Sequence, residues 1–115
     1  KQKTAYEIMP SLVGSEMCKE TEFIVTHESN LNKVKKIAIS STEKVLSRYM
    51  NKPKEPYIRV YFQSNGMGIH TRYVCPAEKR EEIASEITQE IFAKISSSKE
   101  VNFAYQHQDV LLRKK

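Results

Sequence analysis

The sequence predicts an α+β domain in which two amphipathic helices cover one face of an antiparallel sheet. Three observations carry this prediction. Two segments, one from Leu31 and one from Ile83, repeat apolar residues at helical spacing. Segments around Phe23, Ile58 and Ile69 are rich in β-branched and aromatic residues or alternate strictly. The 115 residues, 39% hydrophobic and 29% charged, suffice for one core without metal or disulfide staples.

The first strand is expected at Phe23-Ile24-Val25-Thr26. Ser29 or Asn30 then offers a side-chain oxygen to the orphan amides of a helix N-terminus. Leu31, Val34, Ile37, Ala38, Val45 and Tyr49 follow on one helical face, with Lys33, Lys36, Glu43 and Lys44 on the other. Asn51 and Pro53 mark its end. Residues 56–63 alternate, with Ile58, Val60 and Phe62 on one side and Tyr57, Arg59 and Tyr61 on the other. Asn65-Gly66 predicts a reversal by easy access to positive φ, and the return strand runs from about Met67 to Val74. Pro76 suits a first helical turn. Ile83, Ile87, Ile91 and Ile95 form the next apolar stripe, widened by Ala84 and Phe92, while Glu78, Glu81 and Glu82 favour the positive end of its dipole. Ser96-Ser97-Ser98 ends this helix, and Val101, Phe103 and Tyr105 predict a short last strand.

The order is thus strand, helix, strand, strand, helix, strand. It matches the split βαβ, or ferredoxin-like, plan: a four-stranded antiparallel sheet, first and third strands central, both helices on one face. Residues 1–20 fall outside it. Their apolar pairs around Pro10 and Gly14 suggest a short N-terminal β extension.

Composition narrows the function. No run of 18 apolar residues is present, which excludes a membrane-spanning helix within this stretch. The net charge of +5 permits an acidic partner without demanding one. Cys18 and Cys75 form no CxxC or metal-spaced cluster, which favours free thiols in a reducing compartment. The chain begins at Lys1 without a signal-peptide pattern and is expected to be a piece of a longer protein.

The residues of catalysis are missing from the pattern. There is no nucleophile elbow, no phosphate-cradling loop and no dinucleotide fingerprint; Gly66-Met67-Gly68 leads into a strand, not a helix. Three histidines, His27, His70 and His107, fall on neighbouring strands and could be imagined around a metal. None has a His or Glu partner at helical spacing, so surface histidines are the simpler reading. Cys75 before Pro76 lies where a helix N-terminus could activate a thiol, but no base accompanies it and a structural thiol is expected. No catalytic, cofactor-binding or metal-binding residue is therefore assigned.

Tyr57, Arg59, Tyr61 and Arg72, with His70, place aromatic and basic groups on the sheet face away from the helices. RNA-binding modules of this topology stack bases on such a face. Their RNP1 run is absent here: Gly68-Ile69-His70-Thr71-Arg72-Tyr73 does not fit it. Packing against another protein surface is the better expectation for the four residues.

Two segments carry a resemblance to a known family. Glu22-Phe23-Ile24-Val25-Thr26-His27-Glu28-Ser29-Asn30-Leu31-Asn32-Lys33-Val34-Lys35-Lys36-Ile37 resembles the start of the C-terminal α/β domain of small-conductance mechanosensitive (MscS-type) channels. Val101-Asn102-Phe103-Ala104-Tyr105-Gln106-His107-Gln108-Asp109-Val110 resembles that family's closing segment. The likeness spans roughly residues 20–112, with the intervening elements in the right order. His27, Glu28 and Asn30 depart from the family's usual Tyr and Asp residues, and Ala104 and Gln106 replace two prolines.

The resemblance implies a non-enzymatic, cofactor-free role. Residues 1–20 would be the tail of a middle β-domain or a linker, 21–112 the α/β cage domain, and 113–115 a basic tail. Copies of the chain, seven in the family, would enclose a cytoplasmic vestibule below a tension-gated pore in the cell membrane. Its partners would be its own copies, the permeating ions and small solutes, and the membrane through helices upstream of Lys1. Asp109, Val110, Leu111 and Leu112 would join copies at the cage base. The alternative is a ferredoxin-like domain that binds RNA or a small ligand.

Overall fold

The computed structural model describes residues 15–104. Along them run strand β1 (Glu16–Val25), helix α1 (Leu31–Leu46), strands β2 (Tyr57–Gln63) and β3 (Gly66–Pro76), a 3-10 turn (Ala77–Lys79) and helix α2 (Arg80–Ser96). The sheet has three strands in the order β1-β3-β2, antiparallel throughout. The fold is α+β, with both helices on one sheet face. The expected extension before residue 15, Tyr105, His107 and the cage-base residues Asp109, Val110, Leu111 and Leu112 lie outside the described residues.

β1 is longer than expected. It pairs with β3 from Glu16 opposite Pro76 to Val25 opposite Met67. Residues 16–20, expected in a tail or linker, make its first half. Glu16, Lys19, Glu20 and Glu22 hide the strand from composition, because β propensity reflects pairing more than intrinsic preference.

Alternation along β1 and β3 then decides what each face carries. Val25, Ile69, Tyr73 and Cys75 are buried with Val34, Ile37, Ala38, Val45 and Leu46 of α1 and Ile83, Ile87, Ile91 and Ile95 of α2. Phe23, Ile58 and Val60 pack against this core from its margin. Tyr73 hydrogen-bonds Thr21 at 3.1 Å inside it, and burial raises the Tyr73 phenol above its ordinary pKa.

Asn30 is the α1 N-cap: its Oδ1 accepts from the Lys33 N–H at 3.1 Å. Outside the core, Arg48 contacts Glu86 at 2.7 Å and Glu90 at 3.5 Å, bridging α1 and α2. The Tyr49 hydroxyl donates a short bond to the other Glu86 oxygen. These two donors, Tyr49 before Arg48, hold the Glu86 carboxyl below its usual range.

Four local expectations are corrected. The hairpin loop is Ser64-Asn65, with Gln63 opposite Gly66. Gly66 has no left-handed φ; its constraint is space, because a Cβ there would collide with the Val25 carbonyl oxygen. Phe62 is 90% exposed despite sharing the parity of Ile58 and Val60, since it lies at the end of an edge strand beside the turn. Phe92 is 59% exposed, because the four isoleucines already occupy the buried stripe and residue 92 turns away from it. Finally, the fourth strand is reduced among the described residues to a single antiparallel bridge, Val25 with Phe103.

Candidate functional site

The sheet face opposite the helices is built by the alternate residues of the three strands. Register sets Tyr57 opposite Arg72, Arg59 opposite His70 and Tyr61 opposite Gly68 on one side of β3. On its other side Glu20 stands opposite Arg72 and Glu22 opposite His70. The fold therefore gathers Tyr57, Arg59, Tyr61 and Arg72 on one surface and adds two carboxylates to it.

The polar groups of this surface engage one another. His70 Nδ1 lies 2.9 Å from Glu20 Oε2 and 3.9 Å from Glu22 Oε2. Arg72 reaches the other Glu20 oxygen at 3.6 Å. Arg59 donates to the Tyr61 hydroxyl at 3.1 Å and sits 5.9 Å from the Tyr57 ring centroid. The Tyr61 hydrogen bond is the main reason the Arg59 guanidinium rises above its ordinary pKa. Tyr61 also meets His70 edge to face, with centroids 4.7 Å apart. The product is a striped surface, with carboxylates along β1, a basic row along β3 and aromatic rings along β2.

Glu20, Glu22 and His70 have donor atoms within 4.8 Å of one another, the types and spacing a divalent cation could use. Arg72 competes for the same Glu20 carboxylate, so that carboxylate already has two protein partners, His70 and Arg72. The histidine trio imagined from sequence is not assembled in the described residues. His70 turns to the glutamates, His27 lies beside Phe62 at 6.4 Å, and His107 lies outside them. Glu20 and Glu22 were legible only as an alternating Glu-Thr-Glu run, a signal that needs the strand to begin before Phe23.

Cys75 faces the core. Burial, its largest influence, pushes its thiol above the ordinary pKa, the reverse of activation.

A second feature joins the two segments that flank α1 and follow α2. Thr26 donates its N–H to the Asn102 carbonyl at 2.9 Å, Asn30 to the Glu100 carbonyl at 2.9 Å, and Ala104 to the Ile24 carbonyl at 2.9 Å. The nearly buried Ser29 hydroxyl accepts from the Asn102 N–H at 3.0 Å, and Asn30 Nδ2 donates to Glu100 at 3.1 Å. The turn 26–30 and the segment 100–104 are thus one laced unit.

No helix among the described residues is long and apolar enough to cross a membrane. Compared with protein-family models and with curated proteins, the chain matches none.

Proposed function

We propose that this chain is the cytoplasmic cage domain of an MscS-type mechanosensitive channel, a ferredoxin-like module that supports assembly and filters solutes below a tension-gated pore. The observation that carries the reading is the lacing of residues 26–30 to residues 100–104. The two segments on which the resemblance rests are 73 residues apart at the Ser29–Asn102 contact, yet they form one hydrogen-bonded unit. A shared motif order has a physical reason when the motifs build one joint.

The mechanism is mechanical and electrostatic. Membrane tension shifts a closed–open equilibrium in helices upstream of Lys1. The cage, heptameric in this reading, sets which ions and solutes reach the pore. Asp109, Val110, Leu111 and Leu112 join copies at its base, because an apolar Val-Leu-Leu run is stabilised by a partner surface. The striped face of Tyr57, Arg59, Tyr61 and Arg72 supplies contact with a neighbouring copy or the vestibule wall. A net +5 per copy, repeated around a ring, favours anions wherever those charges face inward.

The test is a pressure-clamped patch of membrane carrying the full-length product. Stepwise currents that open with suction are expected; silence up to patch rupture overturns the reading. Charge reversal then maps the vestibule. Lys33 and Lys36 lie exposed on α1, whereas Arg59 lies on the open sheet face, so only the set that faces the lumen alters the anion-to-cation permeability ratio. An RNA affinity of the domain that falls with salt would instead favour the alternative reading.

A further inference from the structure

We propose that Glu20, Glu22 and His70 form a binding site for a divalent transition-metal ion, with Zn²⁺ the best fit, on the open face of the sheet. The proposal goes beyond the channel reading and does not depend on it.

The backbone sets the three ligands in place. Glu22 stands directly opposite His70 in the β1–β3 ladder, and Glu20, two residues back along β1, stands opposite Arg72. Residues two apart on a strand share a face, so both carboxylates and the imidazole converge on one spot. The site bridges two paired strands instead of lying along one loop. The His70 and Glu20 side chains are 19% and 24% exposed, whereas that of Glu22 is 62% exposed and has room to move.

The distances fit the ion. Tetrahedral Zn²⁺ with bonds of about 2.1 Å keeps its ligand atoms about 3.4 Å apart. His70 Nδ1 lies 2.9 Å from Glu20 Oε2 and 3.9 Å from Glu22 Oε2, values that straddle this separation. All three donor atoms lie within 4.8 Å of one another. Rotation of the exposed Glu22 side chain closes the longer gap.

Neighbouring side chains orient the ligands. Arg72 reaches Glu20 through Oε1, at 3.6 Å, and leaves Oε2 to the ion. At that separation Arg72 is an electrostatic partner, not a hydrogen-bond donor. Outer partners of this kind commonly hold metal-ligating carboxylates. The Tyr61 ring meets His70 edge to face at 4.7 Å and steadies the imidazole plane. With Nδ1 on the metal, the ring proton sits on Nε2. The two carboxylates offset the charge of the ion and counter the repulsion from Arg72 and from Arg59, which stands opposite His70. Three protein ligands leave a fourth position for water. Imidazole beside carboxylates selects Zn²⁺ over Mg²⁺, which prefers oxygen ligands and keeps its waters.

Titration of the 115-residue chain with Zn²⁺ tests the site, read by calorimetry and by the histidine ring signals in nuclear magnetic resonance. One ion per chain with a Kd below about 100 µM is expected, and the His70 ring signals should move most. Glu20→Gln, Glu22→Gln and His70→Gln should each weaken binding at least about tenfold. All three positions lie on the open face, so the variants keep the fold, which an unchanged amide pattern in the core verifies. Cys18→Ser, His27→Gln and His107→Gln should bind as tightly as the parent chain. Mg²⁺ at the same concentration should leave the His70 signals in place. Absent Zn²⁺ binding, binding that survives His70→Gln, or an equal response to Mg²⁺ overturns the proposal. So does loss of binding in Cys18→Ser, His27→Gln or His107→Gln, which would put the ion elsewhere.

Discussion

From Ile69 to Tyr73 two chemistries alternate along β3. Ile69, Thr71, Tyr73 and Cys75 point to the helices and are fully buried, whereas His70 and Arg72 point away and stay partly exposed among carboxylates and tyrosines. The first face is held by apolar contact, which carries no charge to titrate or screen. The second is held by ion pairs and ring contacts, which are weak in water and sensitive to pH and salt. One strand thus joins a face that fixes the fold to a face whose charged groups stay within reach of water.

The largest effect should come from the helix-covered face. Ile87→Ala removes a fully buried side chain between α2 and the sheet and should cost about 2–5 kcal/mol in denaturant unfolding. A cost below about 1 kcal/mol would mean that the isoleucine stripe is not what holds the layers.

Gly66→Ala tests the sheet between the two faces. Its methyl meets the Val25 backbone oxygen, which cannot swing aside, so a loss of about 1–3 kcal/mol is expected. Gly68→Ala meets only the flexible Gln63 side chain, 2.6 Å away, and should cost less.

Thr71 is the polar exception on the buried face. Its hydroxyl is fully buried without a hydrogen-bond partner. Thr71→Val should raise stability by about 1 kcal/mol, since an unpaired buried hydroxyl carries a desolvation cost. A lower unfolding midpoint would reveal a partner for that oxygen.

On the open face, Glu20→Gln should change stability by less than about 1 kcal/mol, because the pairs with His70 and Arg72 are partly solvated. The smallest effect concerns pH. Glu86 has a folded pKa below its unfolded one, so the stability it contributes is complete above the unfolded carboxylate pKa. It is lost as pH falls through the folded value. Glu86→Gln should flatten the acid limb of the stability profile, and an unchanged limb would dismiss its bonds with Tyr49 and Arg48.

How far the sequence was legible follows the same division. Ile83, Ile87, Ile91 and Ile95 announced α2 because burial on one helical stripe leaves a period of four. Ser29 or Asn30 announced the start of α1, where Asn30 proves to be the cap, and Tyr57, Arg59 and Tyr61 announced a shared face by strict alternation. The start of β1 was illegible because its charged residues look like a loop until β3 lies beside them. Glu20 and Glu22 were lost with it, and with them half the electrostatics of the open face. The exposure of Phe62 and Phe92 depends on where elements end in space, which periodicity does not encode.

The register of β1 against β3 has one more consequence. Cys18 stands opposite Val74 while Met17 stands opposite Cys75, so the two sulfurs project from opposite surfaces of the sheet. Neighbours in the layer, they are kept apart by its full thickness and lack the converging Cβ vectors a disulfide requires. An oxidant therefore cannot cross-link this domain to itself while the sheet is intact. A disulfide formed through Cys18 must therefore reach a cysteine outside this domain.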